Sequence, residues 1–219
     1  MKNRTLMTLI SMLLLLSGLC PAQELSPIPL PPARIEGGRP LMQVLQDRQS
    51  RRSYSPEKLP MQTLSDLMWA TFGVNRPESG RRTAPSARNW QEIDVYAALA
   101  EGLFLYDAAT HSLQPVVAED LRAATGGQHF VASAPLNLVF VADYARMGDA
   151  PEEAKLTLSY ADAGFISQNV YLYCASEGLA TVVRAMVDRA SLSEKMRLRP
   201  EQKIIMAQTV GFPETATEE

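Results

Sequence analysis

One long helix limits what this chain of 219 residues can fold into. Residues 154–177 have helical spacing, and Gly178 stands where the helix would end. Apolar residues lie on several sides of this helix, and the small residues Ala161, Ala163 and Gly164 would let another backbone come close. A helix that is apolar all round has to be covered. We therefore expect it at the centre of the domain or in a subunit interface.

Strand patterns around this helix predict a mixed α+β domain, and nothing in the sequence predicts a second domain. Residues 136–142 form a nearly continuous apolar run, which is typical of a strand buried on both faces. Alternating apolar residues indicate further strands. The other predicted elements are a helix from 41 to the basic stretch 48–52, a helix over 64–72, a loop over 75–91, strands within 93–117 with a turn over 107–112, a short helix over 119–124, an extended segment over 179–187, a short helix over 192–198 and a strand over 203–210.

The first residues resemble an export signal. Lys2 and Arg4 precede the apolar run 6–19, and small residues near Ala22 favour cleavage before Gln23. The run is short for a membrane span, so we expect an exported, periplasmic protein with no stable span after cleavage. A lipoprotein anchored through Cys20 and an uncleaved anchor are the alternatives. The expected divisions are a signal peptide over 1–22, a proline-rich linker over 23–40, the domain over 41–213 and an acidic tail over 214–219.

Composition and missing motifs exclude several kinds of function. A formal net charge of −3 argues against a nucleic-acid binder, and two cysteines with two histidines leave little for a metal site. Dinucleotide, P-loop, serine-hydrolase and zinc-protease motifs are absent. We expect His111 and His129 to be solvent-facing loop residues and Cys174 to be inert packing. No catalytic side chain can be assigned, so an enzyme of this sequence would need a bound cofactor.

Three places could hold such a cofactor. Residues 51–53 (Arg-Arg-Ser) suit a phosphate, although a solvated basic turn is the alternative. The loop 84–89 offers a hydroxyl, a guanidinium and an amide that could read the polar edge of a ring or merely cap a turn. Arg184 interrupts an apolar run. It is either buried with an anionic or carbonyl partner or faces water from an edge strand.

Together these residues resemble the FMN-dependent nitroreductase family, including its azoline-dehydrogenase-like branch. Four stretches carry the resemblance in the family's order and span residues 41–213. They are Arg51-Arg52-Ser53, the loop Pro85-Ser86-Ala87-Arg88-Asn89-Trp90-Gln91, the helix residues Asp162-Ala163-Gly164 and Gln168-Asn169 with the exit Glu177-Gly178-Leu179, and the closing Val210-Gly211-Phe212-Pro213.

The resemblance implies a mainly antiparallel sheet flanked by helices, with a long central dimerisation helix and FMN in a cleft between two subunits. It implies that residues 51–53 hold the phosphate, the ribityl chain and the pyrimidine edge. The backbone of the segment that contains Ala185 and Met186 would approach the flavin N5. The residues implied to bind FMN are Arg51, Arg52, Ser53, Pro85, Ser86, Asn89, Arg184, Ala185 and Met186.

The sequence also departs from the family pattern. The arginine often found two positions after the serine is missing, and the chain ends in acidic residues instead of a lysine or arginine. Arg184 or Arg88 could replace that charge. The family's usual donor, NAD(P)H, belongs to the cytoplasm. An exported member would therefore use another donor or acceptor, for example as a dehydrogenase acting on peptide-derived rings, or be a conventional nitroreductase with an unknown donor. A non-enzymatic flavin- or ligand-binding protein with this fold is the alternative.

Overall fold

A seven-stranded sheet with strand order β1-β6-β5-β4-β7-β9-β8 forms the centre of the domain, and each pair of neighbouring strands is antiparallel. This computed structural model describes residues 25–214. The predicted signal peptide and residues 215–219 of the acidic tail therefore lie outside the described residues. The strands of this sheet are β1 (Ile28–Pro29), β4 (Ile93–Leu99), β5 (Gly102–Asp107), β6 (Ser112–Val117), β7 (Leu136–Asp143), β8 (Ala180–Arg184) and β9 (Gln202–Gly211). A separate hairpin pairs β2 (Val74–Arg76) with β3 (Arg81–Arg82).

Strand β7 lies in the interior of the sheet, between β4 and β9. All eight of its residues are buried, as the continuous apolar run predicted. β4 and β9 pair with its two edges, so its backbone groups are satisfied by both neighbours. The mainly antiparallel α+β fold is confirmed.

Four α-helices flank the sheet within the described residues: α1 (Leu41–Asp47), α2 (Met61–Phe72), α3 (Glu152–Glu177) and α4 (Arg189–Lys195). α3 ends at Gly178 in the left-handed conformation, with φ of 70°, as the sequence predicted. The helix is covered on only one face, where Ile166 and Val170 are buried. Leu156, Tyr160 and Phe165 are exposed on its other side. Within one chain this helix is therefore not buried at the centre of the domain, which was one of its two expected positions.

Several local predictions need correction. The loop predicted over 75–91 contains the β2–β3 hairpin and a 3₁₀ turn at Ala87–Asn89. The helix predicted over 119–124 is instead a 3₁₀ turn at Arg122–Thr125, and the one over 192–198 begins at Arg189. Short elements of this kind have weak local signals, so packing decides their form. Among residues 25–214, no helix has the length and apolar character needed to cross a membrane.

The proline-rich segment runs extended, as predicted, and is fastened to the domain. Its β1 pairs with the edge strand β6, and Leu30 is buried. Arg34 donates to Asp66 on α2 through its backbone N–H and its guanidinium. These contacts hold the segment across the edge of the sheet and lead it into α1.

His111 helps to hold this segment, which corrects its expected role as a solvent-facing residue. Its Nε2 lies 2.7 Å from Oγ of Ser65, and its Nδ1 lies 2.9 Å from the hydroxyl of Tyr106. The Ser65 hydroxyl in turn donates to the carbonyl of Pro31. These bonds suit a neutral ring that donates from Nε2 and accepts at Nδ1, and burial lowers the pKa of His111 below its ordinary value. His129 is exposed, as expected.

We expect the His111→Asn variant to lose about 1–2 kcal/mol of unfolding free energy, because Ser65 and Tyr106 lose a half-buried partner. Asparagine tolerates the φ of 47° found at this position. Since the pKa of His111 is lower in the folded state, the wild type should lose stability as the pH falls below about 6.5. Urea unfolding at about pH 7.5 and about pH 5.5 measures both effects. His129→Asn is the control, and equal pH dependence in the His111 variant and the wild type would contradict the assignment.

Candidate functional site

The segment that carries Arg51, Arg52 and Ser53 is fixed between two strands of the sheet. The Arg51 N–H donates to the carbonyl of Thr181 at the start of β8. Tyr54 is buried, donates its hydroxyl to the carbonyl of Arg51, and forms a β-bridge with Pro213 after β9. The backbone is thus tied down, while residues 51–53 project from the surface.

The donors on this segment fit a phosphate group. Arg51 and Arg52 are exposed, and their guanidinium groups make no hydrogen bond or ion pair within residues 25–214. Arg51 borders a cavity of about 470 Å³ together with Tyr171, Gly178 and Thr181. An unpaired guanidinium group beside such a cavity, with a second one at the next residue, can form bidentate, charge-assisted bonds to an anion.

Ser53 is already engaged in this chain. Its hydroxyl donates to a carboxylate oxygen of Glu214, which follows the closing turn after β9. The acidic residue thus stands beside Ser53, which follows the two arginines in the chain, whereas the family resemblance implies a basic residue at the end of the chain. An anion that used Ser53 would have to displace Glu214.

The loop containing Pro85, Ser86 and Asn89 is ordered by its own hydrogen bonds. The Ser86 hydroxyl accepts from the Gln91 N–H at 3.0 Å, and the Asn89 side-chain oxygen accepts from the Gln91 side chain. The Ala87 N–H donates to Oδ2 of Asp162 on α3 at 2.8 Å. Pro85 and Asn89 remain exposed, so the loop presents them to the surface.

This loop also has a strained backbone. Arg88, Asn89 and Gln91 have φ values of 52°, 56° and 49°. Asparagine adopts this region readily, whereas arginine and glutamine do so rarely, at a cost of about 1 kcal/mol or more each. Such strain persists only where surrounding contacts hold the backbone, and it is common at ligand-binding sites.

Arg184 is buried, which excludes the water-facing alternative. Its guanidinium donates to the carbonyl of Thr125 at 2.7 Å, to Oδ1 of Asn137 at 3.0 Å and to Oγ1 of Thr209 at 3.1 Å. Burial lowers the pKa of Arg184 to about 10. A Cβ added to Gly126 would come within 2.0 Å of the guanidinium, so this glycine is needed for the close approach. The side chain therefore joins β8 to the loops beneath it, and its assignment to FMN stays a prediction.

Ala185 and Met186 follow β8 directly and are exposed. They line a second cavity of about 500 Å³ with Gly126 and Gly127. Because Arg184 is anchored in the sheet immediately before them, their backbone is held at its N-terminal side. Arg88, the other residue considered as a replacement charge, is exposed and stacks over Trp90.

One chain does not bring these groups together. The Pro85–Asn89 loop is attached to α3 at Asp162, whereas Arg51 lies beside Tyr171 and Gly178, near the end of the same helix. The helix from position 162 to position 178 is about 24 Å long at 1.5 Å per residue. A ligand held by both groups of one chain would have to span a large part of this distance.

Sequence reasoning missed two buried acids and one tyrosine that support the site. Glu92 and Asp162 are buried together behind the Pro85–Asn89 loop. The Tyr171 hydroxyl accepts from the Val183 N–H of β8 and bonds to Ser50. The sequence contains one signal of these residues. Glu92 stands in the run Gln-Glu-Ile-Asp-Val at the start of a predicted strand, where a charged side chain has to be accommodated next to the core.

Solved structures identify the class of protein to which this fold belongs. A provisionally named nitroreductase from Ralstonia eutropha superimposes with a TM-score of 0.84 at 45% identity, covering 87% of this chain and 91% of that one. A provisionally named NAD(P)H:FMN oxidoreductase from Staphylococcus epidermidis shares the fold with a TM-score of 0.62 at 11% identity, covering 86% and 94%. The fold is therefore that of the nitroreductase-type oxidoreductases.

The sequence itself gives the family. The model of the "Nitroreductase family" matches residues 45–212, and the chain belongs to this family. The protein MJ1384 of Methanocaldococcus jannaschii is provisionally named a nitroreductase. It is 32% identical to this chain over 152 residues, which cover 65% of this chain and 76% of that protein. The resemblance drawn from the four sequence stretches is thereby confirmed.

We expect Arg184→Met to lower the free energy of unfolding by about 2–4 kcal/mol, because the carbonyl of Thr125 and the side chain of Asn137 would lose buried donors. Arg88→Met is the control, and it should change stability by no more than about 0.5 kcal/mol, since Arg88 is exposed. Urea unfolding measures both variants. A stable Arg184→Met protein would show that the buried network does not support β8.

Proposed function

We propose that this protein is an FMN-dependent oxidoreductase that acts as a homodimer. The observation that carries the proposal is the pair of exposed guanidinium groups at Arg51 and Arg52, which have no partners in the described chain, with Arg51 beside a cavity at the start of β8. In a nitroreductase-family chain, a phosphate is the ligand that these donors suit best.

The residues proposed to hold FMN form groups, and each group would contact a different part of the cofactor. Arg51 and Arg52 would bind the phosphate, and Ser53 would join them once Glu214 is displaced. The backbone N–H groups near Ala185 would donate to the ring and stabilise its electron-rich reduced form without an acid or base. When bound, FMN would supply hydride or electron transfer to or from a small organic substrate in alternating half-reactions. Pro85, Ser86 and Asn89 would line the ring, and Arg184 would support the neighbouring backbone.

A second copy would complete this site. The exposed apolar side chains Leu156, Tyr160 and Phe165 lie on the part of α3 that the sheet leaves uncovered, where a partner helix would bury them. Two α3 helices packed with opposite directions would bring the Pro85–Asn89 loop of one subunit toward Arg51 of the other. This arrangement removes the need for FMN to span most of α3 within one chain.

The proposed electron donor depends on the compartment in which the protein works. NAD(P)H is the donor that the family resemblance implies, and residues 1–22 resemble an export signal. We infer that an exported form would use a different electron donor or acceptor, because NAD(P)H belongs to the cytoplasm. Oxidation of peptide-derived rings is one reaction of this kind.

The purified protein should bind FMN, give a bound-flavin absorption spectrum, lose that colour with a reductant and regain it in air. Arg51→Ala should weaken FMN binding about 10- to 100-fold, since a charge-assisted bond contributes about 1.5–3 kcal/mol. Lys203→Ala, which also removes one exposed positive charge, should bind as the wild type does. Titrations followed by flavin fluorescence measure each affinity.

Riboflavin lacks the phosphate and separates the two parts of this prediction. Arg51→Ala should leave riboflavin binding unchanged if its guanidinium contacts the phosphate. A wild-type protein that never retains flavin would reject FMN dependence and favour the non-enzymatic ligand-binding alternative. A flavin that binds but does not turn over with any added donor would favour a flavin-binding protein without activity.

The wild-type protein should have the mass of a dimer in solution, and Phe165→Glu should make it monomeric. The substitution would place a charge on the exposed face of α3, where Phe165 is 49% exposed in one chain. Ile35→Glu is the matched control, because Ile35 is 70% exposed but lies on the N-terminal segment. Light scattering after size-exclusion chromatography gives the masses. A monomeric wild type would reject the shared site.

A further inference from the structure

Two carboxyl groups are buried together behind the Pro85–Asn89 loop. Glu92, just before β4, is fully buried, and Asp162 in the middle of α3 is 3% exposed. Neither carboxylate oxygen of Glu92 makes a hydrogen bond within residues 25–214. A buried, unpaired carboxylate is costly, so the pair has to be explained by protonation or by a role.

Both residues are joined to the elements that surround the loop. Oδ2 of Asp162 accepts from the Ala87 N–H at 2.8 Å, and this bond fixes the loop on α3. The carbonyl of Glu92 accepts from the Asp143 N–H at 2.8 Å, which fixes the other end of the segment on β7. The two acids therefore lie between α3, the sheet and the loop.

The surroundings do not neutralise two negative charges. Burial first, and then the neighbouring Asp162 carboxylate, raise the pKa of Glu92 to about 7. Arg146, on the 3₁₀ turn after β7, acts in the opposite direction, but its guanidinium is bonded to Asp94 and to the carbonyl of Gln91. Tyr144 on the same turn is neutral, because burial raises the pKa of its hydroxyl. A proton on Glu92 leaves one negative charge, on the Asp162 carboxylate that accepts from the Ala87 N–H.

We propose that a proton on Glu92, beside the Asp162 carboxylate, makes the two residues a positioning pair for the Pro85–Asn89 loop, so that release of this proton to solvent weakens the hold of the loop on its ligand. With the proton present, the pair carries one charge and Asp162 can accept from Ala87. Without it, two charges face each other in a buried space and repel, which loosens the contact between the loop and α3. The part of this inference that concerns the ligand rests on the proposed binding of FMN.

The first experiment needs no cofactor. Carboxyl carbon NMR of the purified protein should show a buried acid that titrates near pH 7. Glu92→Gln should remove this titration, and Asp162→Asn should move it to lower pH, since the neighbouring charge is gone. Hydrogen exchange, corrected for the intrinsic rate, should show that the Ala87 amide is less protected at about pH 8 than at about pH 6 in the wild type only.

The second experiment measures FMN affinity at the same two pH values. If only the protonated pair holds the loop, the wild-type dissociation constant should rise about tenfold from about pH 6 to about pH 8 relative to Glu92→Gln. The comparison with Glu92→Gln cancels the titration of the FMN phosphate itself, which both proteins share. Glu153→Gln is the matched control, because Glu153 is an exposed acid on the same helix, and it should behave as the wild type does.

The outcomes separate the inference from the proposed function. Equal protection of the Ala87 amide at both pH values in the wild type would overturn the proposed role of the pair. The absence of a buried acid that titrates near neutral pH would overturn it as well. A titrating pair in a protein that binds no flavin would support the pair and reject the proposed cofactor. Equal pH dependence of FMN binding in the wild type and Glu92→Gln would keep the cofactor and overturn the role of the pair in holding it.

Discussion

Helix α3 is the element on which both the fold and the candidate site depend. Its inner face packs Ile166 and Val170 against the sheet, and its polar residues on that face hold the surrounding loops. Asp162 fixes the Pro85–Asn89 loop through Ala87, while the Tyr171 hydroxyl joins Ser50 to β8. Two of the three groups proposed to contact FMN are therefore positioned from one rigid helix, which is the arrangement that a precise ligand site requires.

Buried polar side chains position the site, and exposed ones are left free to bind. Arg184 makes its bonds to protein groups within the sheet and cannot turn outward without leaving several of them unpaired. Arg51 and Arg52, by contrast, are held only by their backbone. The same residue type thus has two roles, which burial and hydrogen bonding separate.

The sequence predicted the parts of this structure that have a local signal. The apolar run of β7, the end of α3 at Gly178 and the four family stretches could all be read directly. The role of His111 could not, because its partner Ser65 lies 46 residues away, and the bond from Ser53 to Glu214 joins residues 161 apart. Glu92 and Asp162 are likewise brought together only by the packing of α3 on the sheet. Contacts of this kind leave no periodic pattern in the chain.

The contact between Ser53 and Glu214 gives the departure from the family pattern a physical meaning. A basic residue at the end of the chain would add to the attraction of Arg51 and Arg52 for a phosphate, whereas the Glu214 carboxylate competes with that phosphate for the same hydroxyl. Binding an anion at Ser53 would include the free energy of breaking its hydrogen bond to Glu214. Arg51 and Arg52, whose guanidinium groups have no partner in the described chain, supply positive charge that would offset this competition. If the proposed site binds a phosphate, its affinity would therefore depend on residues at the two ends of the domain, and not on the arginine pair alone.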